Sequence, residues 1–382
     1  VRDRAIKQVE RRAGRQVADS LPRVSHGAAP DDVVDTHEQA AANAREPLLV
    51  LEPLRAFLDE HGLGAGALGA TPIGDGHSNV TYLVRRDDGT EVVLRRPPRG
   101  PLPPSAHDVL REARLLRALA PTPARVPAVL AVGDDERVIG SPFYLMEKVE
   151  GFVVTGEIPP PLDGPDDRRR MGEELIDALV EMHAVDWRAA GLEGFGRDSG
   201  YLERQLRRWS GLWEHNRTRE LPAVERVGGW LAANVPPSPP ATIVHGDYRL
   251  GNVMLAPDAP TRVVAIFDWE MATIGDPLAD LGYLTTMWPQ RDDPPTRIEL
   301  SGVTRQPGFL TRDELIARYE ERSGRAMTDI RWYQALAVWK AIVFMEGNYR
   351  RAVSGATDDP YLKAFGEGVV ELAQRAEAIA FG

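Results

Sequence analysis

The stretch TIVHGDYRLGNVML, Thr242–Leu255, sets two short apolar runs of strand character around His245, Asp247, Arg249 and Asn252. An ordinary hairpin turn needs about two to five residues rich in Gly, Asn or Asp, and nothing in its geometry asks for His, Asp and Asn together. A second acidic motif, AIFDWE, follows at Ala265–Glu270, where Asp268 stands 16 residues after Asn252 at the end of another apolar run.

Taken in this order and between strands, His-x-Asp-x4-Asn and the later Asp match the spacing of the catalytic and metal loops of protein-kinase-like phosphotransferases. In those loops one Asp orients and deprotonates a hydroxyl. An Asn and a second Asp hold magnesium, a hard cation suited to oxygen ligands. Asp247 is accordingly read as the base, and Asn252 and Asp268 as the magnesium ligands. A hydrolytic metal site built on His245, Asp247 and Asp268 lacks the further His and Asp residues such a site needs.

Composition narrows the classes around this core. At 382 residues and 43% hydrophobic content the chain is long enough for two core-bearing domains or one two-lobed unit. A formal net charge of -11 without a basic block argues against nucleic acid as the main partner. The absence of cysteine excludes disulfides, thiolate metal sites and thiol catalysis. No apolar run nears the roughly 20 residues that cross a bilayer, and VRDRAIKQVERRAGRQ at the start has no apolar signal-peptide core. A cytoplasmic location without a membrane partner is expected.

Residues 1–46 are rich in Arg, Ala and Asp, which predicts a partly ordered extension with one polar helix. An amphipathic helix is expected in EPLLVLEPLRAFLDEHG, then strands in ATPIGDGHSNVTYLVRRDDGTEVVLRRPP with a turn at Asp87, Asp88 and Gly89. A proline-rich break precedes a helix through AHDVLREARLLRAL, with Ser105 as its cap, and two more strands lead to Gly151. Helical periodicity then predicts helices near 166–186, 198–216, 221–234, 276–289, 312–323, 328–352 and 359–380, with brief strands in TIVHGDY, NVML and RVVAIFDW. The expected fold class is α+β, a two-lobed protein-kinase-like fold. Its small N-lobe, residues 47–150, holds an antiparallel sheet with one helix, and its larger C-lobe, residues 151–382, is mostly helical.

A nucleotide site in the N-lobe needs a flexible turn over the phosphates, a cation on the next strand and a helical carboxylate to hold that cation. GDGHSN supplies the turn, with Gly74 and Gly76 allowing close backbone approach and Ser78 and Asn79 beside them. No lysine occurs between Lys7 and Lys148, so an arginine must serve as the cation. In VVLRR, period-two alternation puts Val93 and Arg95 on one face, Val93 toward adenine and Arg95 toward phosphate, and turns Arg96 away. Arginine keeps the charge and offers two parallel hydrogen bonds. Glu112 in LREARLLRAL is the expected partner, and backbone groups from Glu147 to Val149 suit an adenine-contacting linker.

These segments together resemble the aminoglycoside phosphotransferase family, part of the protein-kinase-like superfamily, from about Gly69 to the C-terminus. GHSNVTYLV, REARLLRAL, VIGSPFYLMEKVEG, VHGDYRLGNVML, AIFDWEMATIGDPLADLGYL and AVWKAIVFMEGNYRRAVSG are most similar to one branch, which includes kinase-like domains fused to some acyl-CoA dehydrogenases. The resemblance implies ATP and Mg2+ as cofactors, Asp247 as the base, Asn252 and Asp268 as metal ligands, and Arg95 with Glu112 as the phosphate-positioning pair. It further implies that Arg249 touches the transferred phosphate and that His245 braces the loop. Asp276 and Asp280 would act as a helix cap and a brace, and Glu270 would neighbour the metal.

The acceptor is narrowed by departures from protein kinases. Gly246 replaces the arginine that answers activation-loop phosphorylation, and the seven residues between Asp268 and Asp276 are too few for a peptide-binding segment. A small hydroxylated molecule is expected, a metabolite such as a hydroxyacyl compound ahead of an aminoglycoside. Glu173, Glu174, Asp177 and Glu181 would attract an amine-rich substrate or form a solvated face, and Trp288, Trp332, Trp339 and Phe344 would floor an apolar pocket or pack in the core. The alternative is a catalytically inactive nucleotide-binding or scaffolding module, suggested by the missing lysine and opposed by the intact Asp247, Asn252 and Asp268.

Overall fold

Successive side chains along a strand serve opposite faces, and the strands between Leu68 and Glu147 are apolar on both, so their sheet must be covered twice. The computed structural model describes residues 32–73, 79–100, 107–296, 299–357 and 359–382. Gly74, Gly76 and Ser78 of the expected phosphate turn, and Ser105, lie outside the described residues.

The chain enters through β1 (Val33–Val34) and a polar α1 (His37–Ala42), whose Thr36 and Gln39 form a capping box. β2 (Leu49–Val50) pairs in parallel with β1, and Asp32 is held by Arg45 at 3.0 Å and Arg99 at 2.5 Å. Residues 32–46 are thereby stitched to the N-lobe, a pairing too short to leave a periodic signal. α2 (Leu51–Glu60) buries Leu54 and Leu58.

Five strands follow: β3 (Leu68–Ile73), β4 (Val80–Arg86), β5 (Glu91–Arg96), β6 (Val129–Gly133) and β7 (Phe143–Glu147). They form one antiparallel sheet in the order β3-β4-β5-β7-β6, with α3 (Val109–Leu119) and the single turn α4 (Glu136–Ile139) in its connections. On the outer face Tyr82, Val84, Val92, Leu94, Phe143 and Leu145 pack against Leu49, Leu54 and Leu58. On the inner face Leu83, Val93, Tyr144 and Met146 pack with Val109 and Leu116 of α3 and share the core of the C-lobe. The cap of α3 is Asp108, which accepts the Arg111 N–H at 3.0 Å, and not Ser105.

The C-lobe runs through α5 (Pro165–His183), α6 (Tyr201–Asn216) and α7 (Pro222–Ala233), then β8 (Thr242–Val244), β9 (Val253–Leu255), β10 (Val263–Ile266) and β11 (Thr273–Gly275). It closes with α8 (Leu278–Thr286), α9 (Arg312–Ser323), α10 (Ile330–Val353) and α11 (Pro360–Phe381). β9 pairs with β10 and β8 with β11, both antiparallel. β11 was not expected, because three residues with one glycine carry no alternation. Trp288, Trp332 and Trp339 lie in the core, each giving its indole N–H to a backbone carbonyl, whereas Phe344 is 59% exposed. Among the described residues no helix is long and apolar enough to cross a membrane. The architecture is α+β, a small antiparallel sheet lobe on a helical one.

Candidate active site

The loop between β8 and β9 is anchored from below by α8. Asp280 is fully buried there, and its carboxylate accepts the N–H groups of His245 at 2.7 Å and Gly246 at 2.8 Å, and the His183 Nε2–H at 3.2 Å. Burial alone would raise its pKa. The His183 hydrogen bond and charge and the Gly246 donor reverse this and hold it below the usual carboxylate range. Asp276 caps α8 through the Leu278 N–H at 3.0 Å and accepts the Tyr333 hydroxyl at 2.8 Å. Gly246 has φ +87°, and a Cβ there would sit 3.0 Å from the Met271 carbonyl oxygen. Its identity therefore has a backbone reason independent of the acceptor.

His245 works with its ring nitrogens on either side. Nε2–H donates to the Phe267 carbonyl at 2.8 Å, and Nδ1 accepts the Asp247 N–H at 3.2 Å. The Phe267 N–H in turn donates to the Asn252 carbonyl at 2.8 Å. Phe267 is thus held on both sides, which sets the next residue, Asp268, at φ +64°, a backbone region rare for any residue but glycine.

Asn252 Nδ2 donates to the Asp247 carbonyl at 2.8 Å and to its Oδ2 at 2.7 Å, and the Arg249 Nε lies 3.7 Å from Asp247 Oδ1. Burial together with the Asp247 carboxylate pushes up the phenol pKa of Tyr283, one turn after Asp280 on α8. Sequence reasoning missed Tyr283, although its i, i+3 relation to Asp280 puts both on one helix face.

The N-lobe reaches the same point through Arg95. Its Nη2 donates to Asp268 Oδ1 at 2.6 Å and its Nε to Glu112 Oε2 at 3.0 Å. Burial pulls the guanidinium's pKa down, but Glu112 first, then Tyr144 and Asp268, raise it further than burial lowers it. Glu112 Oε1 accepts the Trp269 N–H at 3.3 Å, and the Asn79 amide approaches Oε2 at 3.5 Å while its buried Oδ1 has no hydrogen-bond partner among the described residues. Arg96 faces the outer side, bonded to the carbonyls of Leu48 and Ile139, where burial lowers its pKa to about 10. Val93 is buried on the inner face. Val149 is half-buried on the linker, and the Glu147 N–H is already given to the Ala128 carbonyl at 2.9 Å. Glu270 lies 3.6 Å from His107.

Asn252 and Asp268 offer oxygen donors alone, which fits magnesium, an ion that takes one or two protein carboxylates and fills its shell with phosphate and water oxygens. Among the described residues no three His, Cys, Asp or Glu side chains converge as a metal site, and both His245 nitrogens are bound to backbone. The hydrolytic alternative therefore finds no ligand set. Nor do the acidic residues of α5 form a free face. Glu174 and Glu181 hold Arg125 at 2.6 and 2.8 Å, Asp177 holds Arg318 at 2.7 Å, and Glu173 holds Arg169 at 3.2 Å.

A family model described as phosphotransferase enzyme family matches residues 69–333. The chain belongs to that phosphotransferase family. It is similar to Acyl-CoA dehydrogenase family member 10 of Mus musculus, 33% identical over 335 residues covering 84% of this chain and 30% of that protein. The chain thus spans less than a third of that relative's length. A Ralstonia eutropha crystal structure assigned to the aminoglycoside phosphotransferases has a TM-score of 0.75 at 31% identity, covering 86% of this chain and 97% of that one. A thermostable mutant of aminoglycoside phosphotransferase APH(4)-Ia, in a ternary complex with AMP-PNP and hygromycin B, shares the fold at a TM-score of 0.55 and 16% identity, covering 86% and 98%. The family's matched span includes β4, β5, α3 and both acidic motifs, the elements that carry the cleft.

Proposed function

We propose that this member of the phosphotransferase family moves the γ-phosphoryl group of ATP to a hydroxyl of a small molecule. The observation that carries the reading is the convergence of Asp247, Asn252 and Asp268 with the Arg95–Glu112 pair across the cleft between the lobes. Asp247, oriented by Asn252, accepts the hydroxyl proton. The acceptor oxygen bonds to the γ-phosphorus as the bond to the β-phosphate's bridging oxygen breaks, releasing ADP. Arg249 carries a buried Nε that has no hydrogen-bond partner among the described residues and lies 3.7 Å from Asp247 Oδ1, and it meets the charge of the transferred group. Arg95 positions the nucleotide phosphates with two separate N–H arms, and Asn79 closes the N-lobe side. Mg2+, when held by Asn252 and Asp268, supplies charge neutralisation on those phosphates.

Nucleotide use is supported by the AMP-PNP complex of the shared fold. Similarity to a family named for acyl-CoA dehydrogenases supports a hydroxylated metabolite, such as a hydroxyacyl compound, over an aminoglycoside. The net negative charge supports neither a nucleic-acid nor a membrane partner, and a cytoplasmic setting is part of this proposal.

ADP release measured with ATP and magnesium across aminoglycosides, sugars, choline-like alcohols and hydroxyacyl thioesters tests the reading. Asp247→Asn is expected to lower turnover by roughly 10² to 10⁴ fold while leaving nucleotide binding intact. Unchanged turnover would remove Asp247 from the role of base. A second reading, an inactive nucleotide-binding scaffold, draws on Arg95 standing for lysine and tied to Asp268 at 2.6 Å. Nucleotide binding without turnover across the whole screen would favour it.

A further inference from the structure

The first turn of α3 brings more than Glu112 to the segment after Asp268. That segment, the short turn Trp269–Met271, is gripped at both ends by neighbouring residues of the helix. At its start the Trp269 N–H donates to Glu112 Oε1 at 3.3 Å, and just past its end the Ala272 carbonyl accepts the Arg111 Nη2–H at 2.8 Å. Between them Glu270 Oε2 lies 3.6 Å from Nδ1 of His107, the residue before the cap Asp108. The same Arg111 nitrogen donates to the Phe195 carbonyl at 3.0 Å, and its guanidinium carbon stands 3.8 Å from the centre of the Phe195 ring.

Asp268 holds φ +64°, a conformation that a residue with a side chain leaves unless its surroundings impose it. Upstream, Phe267 is fixed by His245 and Asn252. Downstream, the restraint comes from α3. Removing the Arg111 guanidinium frees the far end of the turn, so that the Asp268 carboxylate is no longer fixed relative to Asn252. Arg114, on the same helix, provides the contrast. It donates to the carbonyls of Gly191 at 3.1 Å and Glu193 at 3.0 Å, which ties α3 to the C-lobe with no hydrogen bond to residues 268–272 among the described residues.

We infer that Arg111 is a positioning residue for the metal site: by holding the Ala272 carbonyl it keeps Asp268 in the strained conformation from which its carboxylate shares Mg2+ with Asn252. This inference rests on the phosphotransferase reading only in taking Asp268 and Asn252 as the magnesium ligands.

Binding of a fluorescent ADP analogue to the full chain, titrated with magnesium and repeated in EDTA, tests it without turnover. Magnesium is expected to tighten binding in the wild type. Arg111→Met should keep the affinity measured in EDTA but need roughly tenfold more magnesium for half of the gain, the scale of one hydrogen bond to a charged group. Arg111→Lys keeps one charged donor and should need about threefold more, and it serves as the test variant if urea unfolding shows that Arg111→Met does not fold. Arg114→Met, which loosens the same helix away from the metal loop, should leave the magnesium requirement unchanged. An unchanged requirement in the folded Arg111 variant, an equal rise in Arg114→Met, or a wild type whose nucleotide binding ignores magnesium would overturn the proposal. A rise confined to the Arg111 variants supports it even if no acceptor releases ADP, an outcome that would sink the transfer reading alone.

Discussion

Arg95 joins two carboxylates from different lobes, Glu112 on α3 and Asp268 after β10, through separate nitrogens of one guanidinium. An ammonium concentrates its donors at one point and does not reproduce that fork. Arg95→Lys is expected to keep activity but lower kcat/KM roughly tenfold, the effect of losing one charge-assisted hydrogen bond. Arg95→Met should remove turnover and also leave the buried Glu112 without a counterion, destabilising the fold by about 3–5 kcal/mol. Acceptor-dependent ADP release and urea unfolding of both variants check this. Wild-type rates in Arg95→Met would take Arg95 out of the site. Motif spacing and strand alternation made Arg95, Glu112, Asp247, Asn252 and Asp268 legible in the sequence. Tyr283 was not legible, because the carboxylate that acts on it, Asp247, lies 36 residues earlier in the chain and only the packing of α8 brings the two together.

At the scale of elements, α8 is the floor on which the catalytic loop stands. Its Asp280 satisfies two backbone donors at the start of the loop and the buried His183. Asp280→Asn keeps one acceptor oxygen and loses the charge, and is expected to cost about 2–3 kcal/mol in unfolding experiments. The same pair gives the fold an acid limit. Burial lowers the pKa of His183 in the folded protein from its ordinary 6.5, so the unfolded chain takes up this proton first. Stability is present above about pH 6.5 and is lost as pH falls toward the folded value. Asp280, also lowered when folded, contributes stability above its ordinary 3.8 that is lost as pH falls through its folded pKa. Denaturant midpoints should therefore decline below about pH 6.5 in the wild type and stay flatter in His183→Gln. A flat wild-type profile from pH 7 to 5 would contradict this account. α3 is fixed in a similar manner: Arg111 donates to the carbonyls of Phe195 and Ala272, and Arg114 to those of Gly191 and Glu193. Glu112 is thus held in place by the C-lobe rather than by a long activation segment.

Across the whole molecule the two lobes meet where the chain crosses between them. Phe152 and Leu255 exchange backbone hydrogen bonds of 2.9 and 2.8 Å, and a Cβ on Gly151 would lie 2.1 Å from the Leu255 carbonyl oxygen. Gly151→Ala must push the linker away from β9, whose other end leads back to Asn252. Nucleotide affinity and turnover are expected to fall together, with a loss of stability of at least about 1 kcal/mol. Binding titrations and thermal melts read both quantities. A change in turnover alone would mean that the contact serves the loop and not the relation between lobes.

The sequence by itself determined the two-lobed α+β architecture, most helix and strand positions and the identities of the converging polar residues. Alternation, helical periodicity and motif spacing are local properties written over a few turns of chain. Only the tertiary structure decided what long-range pairing controls. It paired β1 with β2 and β8 with β11, strands too short to show a period. It set the tryptophans of α10 in the core and left Phe344 outside. It also committed Glu174, Glu181 and Asp177 to arginines at least 49 residues away. A carboxylate's spacing along a helix says which face it shares, but which charge meets it depends on the segment that folds against that face.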